Sequence, residues 1–450
     1  MIIKSAFLLI SILFYSNIIL ASTVAIIDSG TDMLHQDIAP KAWFNPGEIP
    51  ENDRDEDRNG YQDDIHGWNF AEGNNKVIDY NYLGMLTADI RKFFDIQAKS
   101  LLGTVTEEEK KWVRKKFEDV EFIKSLQIYG NFMHGTHVAG IAIKGSDDAK
   151  TMAVKLIPTE VKLPVPVEGK IFNGLGLKLI KFALGQLAKQ QMVLLEEIAE
   201  YVGNNKADVA NGSFGTGYKQ ATMIVKVIFE SLMRRPPTDV ELKEVCLHFL
   251  NTLVREGQHM VSAAPNTLFV FAAGNDGTDN DEYPTSPANI RAHNSITVAA
   301  TLGRGEIAVF SNYGKKSVDV AAPGVAIESA APGNKYITVS GTSQAAPFVA
   351  NIAARIKDSN INLGPQEIKK IIMSTVDKKD SLKDIVKSEG IVNTSRAVRA
   401  AELSNDFTLS ESIERARIEI EDQVEDKSFD FNKQNQIKDF VLPLPSLFKL

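Results

Sequence analysis

Cysteine is almost missing from the chain: Cys246 is the single thiol in 450 residues. That excludes an intramolecular disulfide framework and a zinc cluster built on cysteines. Cys246 lies in ELKEVCLHFL, an amphipathic helical pattern, and reads as a small core residue. Basic residues are also in deficit, 50 against 58 acidic ones, giving a formal net charge of -8. Nothing in that balance points to nucleic acid as a partner. No internal repeat is found. The one long apolar run, MIIKSAFLLISILFYSNIILAS, stands at the N-terminus behind Lys4 and ends on small residues. That is the layout of a secretory leader, expected over residues 1–21. An uncleaved anchor is the alternative, but the run is barely long enough to span and contains Ser11, Ser16 and Asn17. The expected location is secreted or periplasmic, with no stable membrane span once the leader is removed.

The rest alternates two patterns. Short apolar, β-branched runs read as strands buried on both faces: TVAIIDSG, VKLIPTEV, ADVANGS, TLFVFAAGN, SITVAA and VDVAAPG. Between them lie helical periodicities, the longest over residues 176–202. The expected fold is α/β, a mostly parallel central sheet with helices on both faces. Functional groups in such a sheet belong beyond the carboxyl ends of its strands. Residues 81–130 are charged and helical and read as an insertion, either a surface elaboration or a lid on a cleft. RRPP at 234–237 separates two helices. The expected division is a leader at 1–21, a domain at 22–402 and an acidic tail at 403–450, helical in part over 409–426.

Three segments contain groups suited to nucleophilic chemistry. Asp28 ends an apolar strand, where a carboxylate is costly without a partner; as a bland alternative it caps a turn with Ser29 and Gly30. NFMHGTHVAGIAI places His134 and His137 around a glycine, at the expected start of a helix. Two imidazoles three apart can share a metal, but no further ligand stands nearby to complete a site. As acid–base chemistry, the segment needs one neutral imidazole oriented by a carboxylate. SGTSQAAPFVANIAARI sets Ser343 where a helix begins, with Gly341 before it and Pro347 behind. A serine there is either a cap or a nucleophile whose proton an imidazole removes. Asn275, in FAAGNDG, ends another apolar strand; it is a turn residue or a donor to an oxyanion. The acidic loop DRDEDRNGYQDD offers Asp55, Asp57, Asn59 and Asp63 to a hard cation such as calcium, though the twelfth position of an EF-hand is filled by His66.

The order Asp28, His134, Ser343 differs from the α/β-hydrolase order, in which serine comes first. These segments resemble those of the subtilisin-like serine proteases, the subtilases. VAIIDSGTDMLHQDI is similar to their aspartate segment, HGTHVAG to their histidine segment, GTSQAAP to their serine segment and AAGNDG to their oxyanion segment; SNYG, VAAPG and LKDIVKSEGIVNTSRAV also fit. The resemblance implies a serine endopeptidase in which Asp28 orients His134, His134 is general base, Ser343 attacks and Asn275 steadies the oxyanion. It implies that Ser213, Phe214 and Gly215 bond an extended protein or peptide substrate, with Phe214 walling a pocket, and that the acidic loop holds structural Ca2+. A catalytically weak peptide-binding protein on the same scaffold is the rival reading. Gln344, Ala346 and Phe348 depart from the residues frequent in the family. The aspartate strand opens directly after the leader, where a pro-domain is usual. Either folding needs no helper, or a separate folding helper or inhibitor supplies that role, or the tail from residue 404 onward does some of that work.

Overall fold

The computed structural model describes residues 21–161, 176–423 and 441–446. Residues 1–20 of the expected leader and most of the last stretch of the expected tail lie outside them. The strands are β1 (Thr23–Asp28), β2 (Gly67–Asn69), β3 (Lys150–Lys155), β4 (Val209–Gly212), β5 (Leu268–Ala272), β6 (Ser295–Thr301), β7 (Val320–Pro323), β8 (Ile327–Ala331), β9 (Lys335–Val339), β10 (Asp377–Lys378) and β11 (Gly390–Ile391). Nine of them form one sheet in the order β10-β11-β7-β6-β5-β4-β1-β3-β2, parallel except for the β10–β11 pair at one edge. The chain runs from β1 to β3 on one side and then returns to β4 on the other. The strand order therefore reverses beside β1, and such a switch point opens a crevice at the carboxyl ends.

The helices are α1 (Ala88–Leu101), α2 (Glu107–Lys116), α3 (Val120–Ala142), α4 (Gly176–Asn204), α5 (Tyr218–Met233), α6 (Asp239–Glu256), α7 (Gln258–Ala263), α8 (Thr342–Ser359), α9 (Pro365–Ser374), α10 (Thr394–Leu403) and α11 (Leu409–Glu419). They cover both faces, as expected, because Val24, Ala25, Ile26 and Ile27 of β1 are all apolar and buried. Val24 and Ile26 pack with Val138 of α3 and Val349 of α8. Ala25 and Ile27 pack on the opposite face with Ile198 of α4, Val225 of α5 and Phe249 of α6. Cys246 is fully buried on that second face, and burial pushes its thiol up to about 11, as befits an inert core residue.

Three features differ from the sequence expectations. First, β8 and β9 form a separate antiparallel hairpin around Gly333 and Asn334, both in the left-handed region. Second, the insertion is not peripheral. Phe93, Phe94, Phe122 and Leu126 pack against Ile337 and Val339 of the hairpin, and the insertion's last turns continue into α3. Third, residues 403–423 belong to the domain. Ile413 and Ala416 of α11 enter the main core. The buried Arg396 guanidinium donates to the Ile420 carbonyl at 2.8 Å and to the Asp422 carboxylate at 2.6 Å, fixing the end of that segment. Among the described residues no helix is long and apolar enough to cross a membrane.

Candidate active site

Asp28, the last residue of β1, is fully buried. Its Oδ1 accepts from the Ser29 N–H at 2.7 Å and from the His134 ring Nδ1 at 2.7 Å. Oδ2 has no hydrogen-bond partner. A buried carboxylate with one unsatisfied oxygen favours any positive charge that forms beside it. The carboxylate oxygen accepts, so Nδ1 carries the ring proton and Nε2 keeps its lone pair for a proton from elsewhere.

His134 does not open a helix. It sits deep in the 23-residue α3, which begins at Asp119, whose side chain caps the Phe122 N–H at 3.1 Å. The small residues around His134 serve approach instead. A Cβ at Gly135 would collide with the Gly30 carbonyl. The Gly135 N–H donates to Ser29 Oγ at 3.3 Å, and the same hydroxyl reaches the Asn131 carbonyl. The end of β1 is thus stitched to α3, which sets the Asp28–His134 distance. His137 is fully buried, with Nε2 bonded to the Ile337 carbonyl at 3.0 Å. Burial depresses its pKa to about 3, so it stays neutral and apart from the cavity. Gln344 donates to its Nδ1 at 3.4 Å, which gives that departure from the family pattern a partner.

Ser343 is the second residue of α8, where a backbone N–H has no acceptor within the helix. Pro347 lies four residues on and lacks the N–H that would bond the Ser343 carbonyl. Ser213 Oγ donates to that carbonyl at 3.0 Å instead, and Ser343 Oγ donates back to the Ser213 carbonyl at 3.2 Å. This reciprocal pair joins the end of β4 to the start of α8. No hydrogen bond between Ser343 and His134 is formed, yet both line one cavity of about 160 Å³ together with Asn275. Asn275 follows β5. Its Oδ1 accepts from the Thr342 N–H at 2.9 Å and from the Thr342 hydroxyl at 2.8 Å, which leaves Nδ2 facing the cavity. Behind it, Asn312 of SNYG takes the Asp276 N–H at 2.9 Å and the Thr278 N–H at 3.2 Å, fixing the turn. The packing role of Asn312 was not evident from its sequence position.

Of the expected substrate residues, Gly215 donates its N–H at 3.0 Å to the carbonyl of Pro445, which lines the cavity. Ser213 is consumed in the pair with Ser343. Phe214 turns inward: it is buried in the core with Phe271 and does not line the cavity. One wall comes from the insertion instead, through Lys124, Gln127, Ile128 and Gly130.

In the acidic loop, the carboxylates that converge are Glu48, Asp55 and Asp57, with one oxygen from each within 4.8 Å of the others. Glu48 stands outside the quoted motif and gave no signal in sequence. Asp63 turns away to the Asp53 N–H at 2.9 Å, and the Asn59 side-chain N–H donates to Asp57 at 3.1 Å, so neither aims an oxygen at the trio. Three hard oxygens at this spacing fit calcium.

The model of the Subtilase family matches residues 21–393. Subtilisin BL of Lederbergia lenta is 29% identical over 266 residues, which cover 59% of this chain and 77% of that protein. Subtilisin-like protease 2 of Plasmodium falciparum is 29% identical over 269 residues, 59% of this chain, and alkaline elastase YaB of Bacillus sp. (strain YaB) is 34% identical over 138 residues, 31% of this chain. The aligned residues span 17% of the Plasmodium protein and 34% of the elastase. Among solved structures, a lanthipeptide protease aligns at TM-score 0.46 and 18% identity, over 84% of this chain and 86% of that one. With the family model covering most of the length from β1 to beyond β11, the chain belongs to the subtilase family.

Proposed function

We propose that the chain is a serine endopeptidase that cuts extended protein or peptide substrates and works outside the cytoplasm. The observation that supports this most is the 2.7 Å bond from His134 Nδ1 to buried Asp28, in a cavity that Ser343 and Asn275 also line. Ser343 Oγ swings from the Ser213 carbonyl to His134 Nε2, the atom left free by the Asp28 bond. The Oγ–carbon bond then forms as the hydroxyl proton passes to Nε2, and the imidazolium is held by Asp28. The carbonyl oxygen becomes an oxyanion, met by Asn275 Nδ2 and by the free N–H at the start of α8. His134 next protonates the departing nitrogen, the C–N bond breaks, and an acyl-enzyme remains. Water repeats the sequence and releases the acid. Glu48, Asp55 and Asp57 would hold a calcium ion that neutralises the acidic loop. A casein digest followed by mass spectrometry tests the reading. Internal cleavages that vanish in Ser343→Ala are expected; equal cleavage by that variant would refute it. A peptide-binding role is the alternative, favoured only by the missing Ser343–His134 bond, and a folded wild type without turnover would support it.

A further inference from the structure

Val441–Ser446, far along the chain from every motif, lies in the cleft. Three of its backbone carbonyls are taken by cleft donors: Leu442 by Asn275 Nδ2 at 3.1 Å, Leu444 by Gln220 Nε2 at 2.9 Å and Pro445 by the Gly215 N–H at 3.0 Å. The Ser446 hydroxyl meets that of Thr216 at 3.4 Å. Leu444 is 5% exposed and would touch a Cβ at Gly215, while Leu442 lies against Gly130 and the aromatic cluster of the insertion. Two of these donors, Asn275 Nδ2 and the Gly215 N–H, are groups assigned above to the oxyanion and to substrate. We propose that this C-terminal segment is an intramolecular inhibitor of the cleft, an inference that rests on the protease reading.

The segment is built to occupy and not to react. Pro443 and Pro445 have no N–H, so they cannot return hydrogen bonds to the edge that holds them. They also restrict the free segment, which lowers the entropy lost on docking. The carbonyl held by Asn275 precedes Pro443, so the bond in the oxyanion position is to a tertiary nitrogen inside a ring. Ser343 meanwhile donates to Ser213 and makes no bond to His134. A covalent tether supplies an effective concentration on the order of 1 mM. A hexapeptide of this sequence that binds in trans at about 100 μM would then suppress activity roughly tenfold when attached.

The test compares the full chain with its Leu442→Asp/Leu444→Asp variant. Hydrolysis of a fluorescent casein at low substrate is expected to rise about tenfold in the variant, and the peptide Val-Leu-Pro-Leu-Pro-Ser should inhibit the variant competitively but hardly affect wild type. Equal rates overturn the proposal, provided thermal melts show both chains folded. A second arm needs no turnover: fluorescein-labelled peptide is titrated onto each chain carrying Ser343→Ala. Binding to the variant and not to the parent is expected; no binding to either overturns the proposal. If neither chain cuts casein, the protease reading fails, while selective peptide binding still assigns the segment to the cleft.

Discussion

Replacing Asn275 separates two jobs of one side chain. Its Oδ1 holds the start of α8 through two bonds from Thr342, and its Nδ2, which donates to the Leu442 carbonyl in the cavity, is the group proposed to meet the oxyanion. Asn275→Ala removes both. Loss of an oxyanion donor lowers kcat by about 100- to 1000-fold, or ~2.7–4 kcal/mol of barrier. Loss of the two Thr342 bonds costs about 1–3 kcal/mol of stability at ~0.5–1.5 kcal/mol each. Asn275→Asp keeps an acceptor for Thr342 and deletes the donor. It is expected to hold its melting temperature near wild type while losing at least as much kcat, since a carboxylate also repels the oxyanion. Because Asn275 also grips Leu442, kcat must be read at saturating substrate, with active enzyme counted by titration. The assay is a chromogenic peptide over a range of concentrations, alongside thermal melts. An Asn275→Ala enzyme that retains kcat within threefold, or an Asn275→Asp enzyme that is fully active, would refute the assignment.

Further outcomes follow from other parts of the molecule. His137 is neutral in the fold because burial lowers its pKa to about 3, whereas the unfolded imidazole titrates near 6.5. As pH falls from 6.5 toward 3, the unfolded state gains a proton that the native state refuses, so stability drops by on the order of 4 kcal/mol over that window. Urea melts at pH 7 and pH 4 should show the slope reduced in His137→Gln; an unchanged slope contradicts it. Chelation should lower the melting temperature, and Glu48→Gln should remove that sensitivity; identical melts with and without chelator would retire the calcium proposal. Gly135→Ala should cost roughly 1–3 kcal/mol and reduce turnover, because the added methyl drives α3 off the Gly30 carbonyl; a wild-type melt would show that the approach is not as close as described.

Much of the site was legible because each motif joins an apolar strand end, or a glycine, to a polar side chain that would be costly there without a purpose. Asp28 after TVAII and Asn275 after FVFAAG are of this kind, and both stand at the carboxyl ends of parallel strands. Ser343 was flagged by Pro347, and the structure supplies the reason in the Ser343 carbonyl that Ser213 takes over. The start of α3 was misplaced because Gly135 resembles a helix boundary, whereas the true cap is Asp119. Phe214 was expected as a pocket wall, and its contacts with the core around Gly212 and Phe271, invisible in the local sequence, turn it inward. The convergence of Glu48 on Asp55 and Asp57, and the docking of Leu442 and Leu444, are tertiary contacts between distant stretches and left no periodic signal. The hairpin was readable in hindsight from Pro332, Gly333 and Asn334.

The central claim is that Ser343 becomes a nucleophile through His134 and Asp28. Mass spectrometry of the chain after exposure to a fluorophosphonate tests it most directly. One adduct is expected, mapped to the peptide containing Ser343, absent from Ser343→Ala and strongly slowed in His134→Ala. An adduct on another residue, or labelling as fast in His134→Ala as in wild type, would contradict the account.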